Sequence, residues 1–388
     1  MNRTPRPRHA RLLRREVAPR RTSRSPRLSR RGTTPPLRGR RSPADVSRRD
    51  GLRGLALAAL AACLVLTSCQ VLNRSNVAQG LQGRVAWPKD GDLWVYDLAS
   101  KQQTKITNLP NGAAVTGATW SPDGQRVIFA QFWRRPNDRS SGADLMVANA
   151  DGSNAHLFAE RDAANTMLET PEWMPSGQVY YTVRRVLNGR ESQSIVRQAE
   201  GGQAETLVEN AYDPAVSPDE STLVYVRSTR AGQAMLKKTI GESGDGCELI
   251  SDQVFQYLSL PRISRDGKRV ALGGSGEPNL GPSGCGGDPR SKGPAAGTAP
   301  GLDPLALLQP TVAEAHGLPA DVYSLNLDGS DLTRIADIKD DDPTVAFSPD
   351  GTKLVIFGVA ALFVADAKGG PTEKLTDQGG YGGLDWTK

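Results

Sequence analysis

From residue 83 onward the chain alternates short apolar runs rich in Val, Ile, Tyr and Phe with clusters of Gly, Pro, Asp and Asn. Helical periodicity is nearly absent, so the pattern predicts strands and turns throughout. One phrase recurs along this region. Trp120-Ser121-Pro122-Asp123-Gly124 precedes QRVIFA, and Phe347-Ser348-Pro349-Asp350-Gly351 precedes TKLVIF. Looser copies are Trp173-Met174-Pro175-Ser176-Gly177 before QVYYTV, Val216-Ser217-Pro218-Asp219-Glu220 before STLVYV, and Ile263-Ser264-Arg265-Asp266-Gly267 before KRVALG. A second phrase follows further on, LMVANADGSNAHLF at 145–158 and VYSLNLDGSDLTRI at 322–335, with degenerate copies at 93–106 and 362–375.

The repeating unit follows from turn chemistry. Proline presets φ at the first turn position, aspartate bonds the backbone two residues on, and glycine accepts positive φ. Strand, Ser-Pro-Asp-Gly turn, strand, loop, and two strands around an Asp-Gly-Ser turn make a four-stranded antiparallel meander. A single such sheet cannot bury its faces, whereas several packed around an axis can, and four strands in about 40–50 residues is the length of a propeller blade. The expected fold is all-β, a six-bladed β-propeller with blades at 83–108, 115–158, 170–208, 213–250, 258–336 and 343–376. The first blade lacks an inner strand. The segment 381–386 (YGGLDW) matches 115–120 (VTGATW) and is expected to supply it, closing the ring and removing exposed edges.

These phrases resemble the repeats of the TolB-like propeller family, also described as PD40 or WD40-like repeats, over about residues 83–388. The resemblance implies a six-bladed propeller used for protein contacts in the cell envelope. The family places an α/β domain ahead of its propeller. Here 69–82 alone separates the first blade from the cysteine discussed next.

The run 54–66 (GLALAALAACLVL) has 13 residues, which suits a signal-peptide core and falls short of the about 20 needed to cross a bilayer. Arg48, Arg49 and Arg53 form its positive flank, and Leu66-Thr67-Ser68-Cys69 resembles a bacterial lipobox. That resemblance implies cleavage before Cys69 and lipid attachment to it. An ordinary cleavage site near a cysteine is the alternative. Residues 47–53 (SRRDGLR) resemble a twin-arginine export motif with Gly51 at the usual aromatic position, so the export route stays open. Residues 1–47, rich in Arg, Pro and Ser, cannot build a core; they are disordered, or untranslated if synthesis starts near Val46.

Charge changes meaning once this leader is set aside. The whole chain carries 48 basic and 42 acidic residues, but residues 1–68 hold 18 of the arginines and three of the acids. The remainder has 30 basic and 39 acidic residues, a net charge of −9, which argues against nucleic acid as a partner. Of four cysteines, Cys63 leaves with the signal, Cys69 is the lipid site, and Cys247 and Cys285 could pair in an oxidising compartment.

On a propeller, ligands meet the connections that precede the inner strands, here 160–171, 210–214, 251–261, 337–343 and 377–383. The candidate ligand face comprises Glu169, Glu172, Tyr212, Asp213, Tyr257, Asp341, Asp342 and Tyr381, with Asp252 and Asp340 beside them. Acids and aromatics around a funnel suit a basic or polar peptide or a cation; plain solvated loops are the simpler reading. Asp340-Asp341-Asp342 offers oxygen ligands without the alternating spacing of a calcium loop, so no metal and no cofactor is expected. Asp151–Asn154 and Asp328–Asp331 read as hairpin turns. His156 and His316 are the histidines beyond the leader, and no Gly-x-Ser-x-Gly, HExxH, CxxC or phosphate-cradling motif occurs. The segment 273–320, dense in Gly and Pro, is expected to interrupt the fifth blade, with 302–316 as a short helix or docking strip.

The expectation is a monomeric, membrane-anchored, non-catalytic propeller that binds an envelope protein or peptide. The alternatives are a carbohydrate- or solute-binding module, marked by exposed aromatics, and an envelope hydrolase, marked by converging carboxylates of raised pKa. Trp120, Trp173 and Trp386 precede the turns and are expected in the core rather than under a sugar.

Overall fold

The computed structural model describes residues 76–276, 278–279, 283–288, 290 and 318–388. Arg48, Arg49, Arg53 and Cys69 lie outside the described residues, as do His316 and the stretch 302–316.

Among the described residues are 24 strands and no helix. The first meander is β1 (Arg84–Lys89), β2 (Asp92–Asp97) and β3 (Gln103–Lys105). The second is β4 (Ala114–Trp120), β5 (Arg126–Trp133), β6 (Gly142–Asn149) and β7 (His156–Ala159). The third is β8 (Thr166–Trp173), β9 (Gln178–Leu187), β10 (Arg190–Ala199) and β11 (Glu205–Glu209). The fourth is β12 (Tyr212–Val216), β13 (Thr222–Ser228), β14 (Gln233–Thr239) and β15 (Cys247–Ile250). The fifth is β16 (Tyr257–Ile263), β17 (Arg269–Ser275), β18 (Pro319–Asn326) and β19 (Thr333–Asp341). The sixth is β20 (Thr344–Phe347), β21 (Lys353–Phe357), β22 (Leu362–Asp366) and β23 (Glu373–Lys374). The remaining strand, β24 (Asp385–Thr387), pairs antiparallel with β1 in the register Arg84↔Thr387, Val85↔Trp386, Ala86↔Asp385. The first sheet thereby gains its fourth strand, as the match between 381–386 and 115–120 predicts. The repeats give no sign of one further join: β6 and β8 share a parallel bridge, Ala143↔Met167, making the second and third meanders one eight-stranded sheet.

Strand periodicity explains the packing. Successive side chains point to opposite faces, so on β5 Val127 and Phe129 pack toward the first meander while Ile128 and Ala130 pack toward the third. An apolar cluster of this kind fills each of the six seams between consecutive meanders, including the seam between the sixth and the first. Trp120, Trp173 and Trp386 lie in these clusters and are buried. Burying each such large side chain contributes roughly 1.5–3 kcal/mol.

The Ser-Pro-Asp-Gly turns hold the inner strand to the second one. Ser121 Oγ donates to Asp123 Oδ1 at 2.6 Å and accepts from Arg126 N at 2.9 Å, while Gln125 N donates to the same carboxylate oxygen at 3.0 Å. Ser217–Asp219, Ser264–Asp266 and Ser348–Asp350 repeat the bond. Gly124 takes φ 69 in this turn, and Glu220 adopts φ 56 at the equivalent place, a strained conformation for a residue with a Cβ. Its carboxylate is held by Ser176 Oγ at 2.8 Å and Ser176 N at 3.0 Å, on the neighbouring meander.

The insertion is shorter than 273–320. Gly273 and Ser275 pair with Val322 and Ala320, so its ends belong to β17 and β18. The glycines are in the strand for lack of room: a Cβ on Gly273 would meet Ser259 Oγ and Pro343 O, and one on Gly274 would lie 2.8 Å from the Phe255 ring. Cys285, in the insertion, is disulfide-bonded to Cys247 at the start of β15, with Cα atoms 5.1 Å apart. Gly287 N donates to Asp328 O at 2.8 Å, which also fastens this segment to the β18–β19 turn.

A buried ionic cluster pins the outer part of the second meander. The Arg161 side chain is 0% exposed and pairs with Asp144, 1% exposed, at 2.7 Å. Arg161 Nη2 also reaches Asp138 at 2.8 Å. Asp144 further accepts from Arg135 Nη2, Trp133 Nε1 and Arg161 N at 2.7, 2.7 and 2.8 Å. Gly142 makes room for this, since a Cβ there would lie 2.7 Å from Arg161 Cδ.

Candidate functional site

Four of the six inner strands, β4, β8, β12 and β16, are bulged, and most of the site residues lie on them. Register shifts fall between Val115 and Gly117, Glu169 and Glu172, Tyr212 and Ala215, and Ser259 and Arg262. Pro171, Pro214 and Pro261 sit within three of these bulges, where a residue without an N–H breaks no ladder bond. Thr170 and Asp213 accordingly adopt φ 51 and 52. Glu169 and Glu172 therefore belong to β8, and Tyr212 and Asp213 to β12, rather than to free connecting loops as the sequence suggests.

At the entrance formed where the inner strands begin, most of the expected face comes together. Burial pushes the Asp213 carboxyl up to about 7, with the charges of Asp342 and Glu169 adding to the rise and Arg262 and the Leu260 amide opposing it. These groups come from different meanders and converge on one place. Burial raises the Tyr257 hydroxyl, reinforced by Asp342 and Asp213, and burial lifts Tyr212 to about 12. Tyr381 Oη donates to Asp341 Oδ2 at 2.7 Å. Tyr212 Oη accepts from Gln233 Nε2 at 2.7 Å, and Gln233 Oε1 accepts from Leu258 N at 2.7 Å. Glu169 is held by Arg184 through bonds of 2.8 and 3.0 Å. Asp252 stands apart, accepting from Thr229 Oγ1 at 2.6 Å within its own meander. Asp340 accepts from Asp341 N at 2.8 Å and Ala360 N at 3.2 Å, tying the end of β19 to the sixth meander.

The sign of the Asp213 shift yields a test. Its folded pKa lies above the unfolded value of about 4, so the folded protein holds the extra proton between roughly pH 4 and 7. The associated stability is present below that window and lost as pH rises through about 7. Asp213→Asn is expected to change the melting temperature little at pH 4 and to raise it by several degrees at pH 8. An offset that does not vary with pH contradicts a proton held on Asp213.

Glu172 departs from the predicted face. It lines a cavity of about 380 Å³ at the opposite end of the inner strands, among the Ser-Pro-Asp-Gly turns, together with Arg262, Arg265, Asp385, Trp173 and Trp386. The physical reason is its place in β8: Glu172 is the next-to-last residue before the turn, and the bulge, which sets three steps on β8 against two on β9, keeps it on the same face as Glu169 but one level nearer the turn. Val216 N donates to Glu172 Oε2 at 2.7 Å. Burial raises this carboxyl to about 7, against the pull of Arg262 and the Val216 amide and with a push from Asp385. Arg262 thus acts on Asp213 and Glu172 alike.

Sequence reasoning missed Arg262, Arg265 and Asp385. The signal was present: the residue before the last apolar position of each inner strand is Asp385, Thr119, Glu172, Ala215, Arg262 or Ala346, a single level around the axis. Arg265 occupies the proline position of its turn phrase. Among the described residues no group of three or more His, Cys, Asp and Glu is placed to hold a metal ion.

The ring of meanders closed by β24 is a β-propeller. No family model matches the chain. Its fold is similar to the crystal structure of TolB from Acinetobacter baumannii, with a TM-score of 0.54 and 12% identity over 78% of this chain and 66% of that one. The chain therefore spans just under two thirds of that protein's length. The structure of a nidogen/laminin complex is similar too, at a TM-score of 0.51 and 10% identity, covering 79% of this chain and 98% of that chain. An oligogalacturonate lyase in complex with manganese matches at a TM-score of 0.42 and 14% identity, over 73% of this chain and 74% of that chain. The fold is a scaffold shared by different functions and does not decide between binding and catalysis.

Proposed function

We propose that this chain is a lipid-anchored, extracytoplasmic propeller that binds a protein or peptide at its acidic entrance without transforming it. The observation that carries the reading is the convergence of Asp213, Asp342, Glu169 and Tyr257 at one mouth. Such a mouth suits a partner that presents basic or hydrogen-bond-donating groups, and the −9 charge outside the leader adds long-range attraction for it. The lipobox-like Leu66-Thr67-Ser68-Cys69 supports attachment to the membrane.

The experiment is in-cell crosslinking of the full chain and of a variant carrying Tyr257→Phe, Asp341→Asn and Asp342→Asn, with Cys69→Ala run alongside. A crosslinked envelope protein lost in the triple variant supports the binding reading. Cys69→Ala is expected to abolish palmitate labelling and release the protein from membranes; a variant that stays labelled rules out the anchor.

Asp213 itself favours a second reading. A carboxyl raised to about 7 beside Asp342 is the pairing an acid–base hydrolase needs. Turnover of a glycan by the wild type and its loss in Asp213→Asn selects that reading.

A further inference from the structure

The cavity at the turn end of the axis is walled by two arginines, Arg262 and Arg265, whose fields fall on buried carboxyls but whose N–H groups the protein takes up only in part. A guanidinium offers five N–H donors. Arg262 uses one of these groups on Pro261 O, 3.2 Å away, and among the described residues no carboxylate stands within ion-pair distance of it. Arg265 Nη2 donates to Trp386 O at 3.2 Å and lies 3.6 Å from Asp385 Oδ1. Asp385 is itself occupied, accepting from Thr119 Oγ1, Trp120 N and Trp386 N at 3.2, 2.9 and 2.7 Å. It therefore anchors the wall and Arg265 rather than quenching Arg262.

Glu172 also lines the cavity; it commits Oε2 to Val216 N and leaves Oε1 to accept. Trp173 and Trp386 form the apolar sides of the cavity, and Pro175 and Pro218 belong to its rim. Space of about 380 Å³ lies in the range of small-ligand sites. Two guanidinium groups favour a planar anion that accepts a fork of hydrogen bonds, which a carboxylate does well. One carboxylate acceptor nearby favours an N–H on the same ligand.

We propose that this cavity is a second ligand site, distinct from the acidic entrance, which takes an α-carboxylate with an adjacent N–H. Arg262 and Arg265 hold the carboxylate, and Glu172 accepts from the ammonium of a free amino acid or the last amide of a peptide. The two sources share one chemistry and differ in what extends beyond the N–H. This inference goes beyond the proposed partner binding and does not depend on it.

The test is calorimetric titration of the detergent-solubilised full chain with alanine, N-acetyl-alanyl-alanine and the amide of the latter. Saturable binding of a free carboxylate, absent for the amide, supports the site. Alanine as the better ligand assigns a free amino acid, and the acetylated dipeptide as the better ligand assigns a polypeptide end. Arg262→Gln is expected to weaken binding about 10- to 100-fold, the loss of a charge-assisted hydrogen-bond pair. Arg262→Lys, which keeps the charge without the fork, should fall between the two. Arg265→Ala, a change at a half-exposed rim position, guards against misfolding of the axial variants and should weaken binding in the same direction. Equal affinity for the carboxylate and the amide, or no binding of any probe to a wild type that melts cooperatively, overturns the proposal.

Discussion

A chain ending at Gly383 is expected to lose cooperative unfolding, and Trp386→Ala is expected to lower the melting temperature by on the order of 10 °C. Both changes strike the one seam held by a strand from a distant part of the chain. Trp386 is 2% exposed and packs with Trp87, Phe357, Val77 and Leu81 between the first and sixth meanders. Its indole N–H donates to Gln82 O at 3.0 Å. Truncating a buried tryptophan to alanine costs about 3–5 kcal/mol through lost burial and the cavity left behind. Removing the whole strand also strips β1 of its inner partner and opens an edge. Thermal melts followed by circular dichroism check both. A truncated chain that melts like the wild type shows that the ring is stable without β24.

Arg161→Ala and Asp144→Ala should each destabilise the protein by about 3 kcal/mol, because either leaves a buried charge with a single, partly exposed ion partner, Arg135 for Asp144 and Asp138 for Arg161. Arg161 and Asp144 are 0% and 1% exposed, so solvent screening brings no relief. Replacing both together by apolar residues of similar volume, Arg161→Met with Asp144→Leu, should restore much of the loss. Trp133 Nε1 and Arg135 then lose their acceptor, which keeps the recovery incomplete. Urea denaturation of the singles and the double decides the matter. Single variants within 1 kcal/mol of wild type would falsify the view that this cluster pins the meander.

The repeats made the strands readable because turn residues and apolar runs act locally. Ser121, Asp123 and Gly124 make their bonds within five residues, so a short phrase is enough to announce them. The closing strand was readable for a related reason: 381–386 repeats the inner-strand phrase of 115–120. The axial site was less so. Glu169 and Glu172 stand three apart in sequence, where plain alternation would face them to opposite sides; the bulge around Pro171 returns them to one side at different levels, and only backbone register reveals that. The Arg161 cluster was hidden because its members, Asp138, Asp144 and Arg161, follow no repeat phrase and meet only after β6 and β7 have paired. Gly273 and Gly274 misled in the other direction. They read as loop composition, whereas crowding by Ser259, Pro343 and Phe255 demands glycine inside a strand.

The pairing of β24 with β1 also dictates an order of events during biogenesis. Gln82 and Trp386 are 304 positions apart, so the two halves of the first sheet leave the ribosome, and pass any export channel, at opposite ends of the process. Meanders built from neighbouring segments can form as they emerge, whereas this contact must wait. Until it forms, β1 presents an unpaired edge to whatever else is nearby. The completion of the ring is thus a checkpoint: a chain stalled before residue 385 is recognisable to proteases and chaperones by that open edge, and a completed one is not.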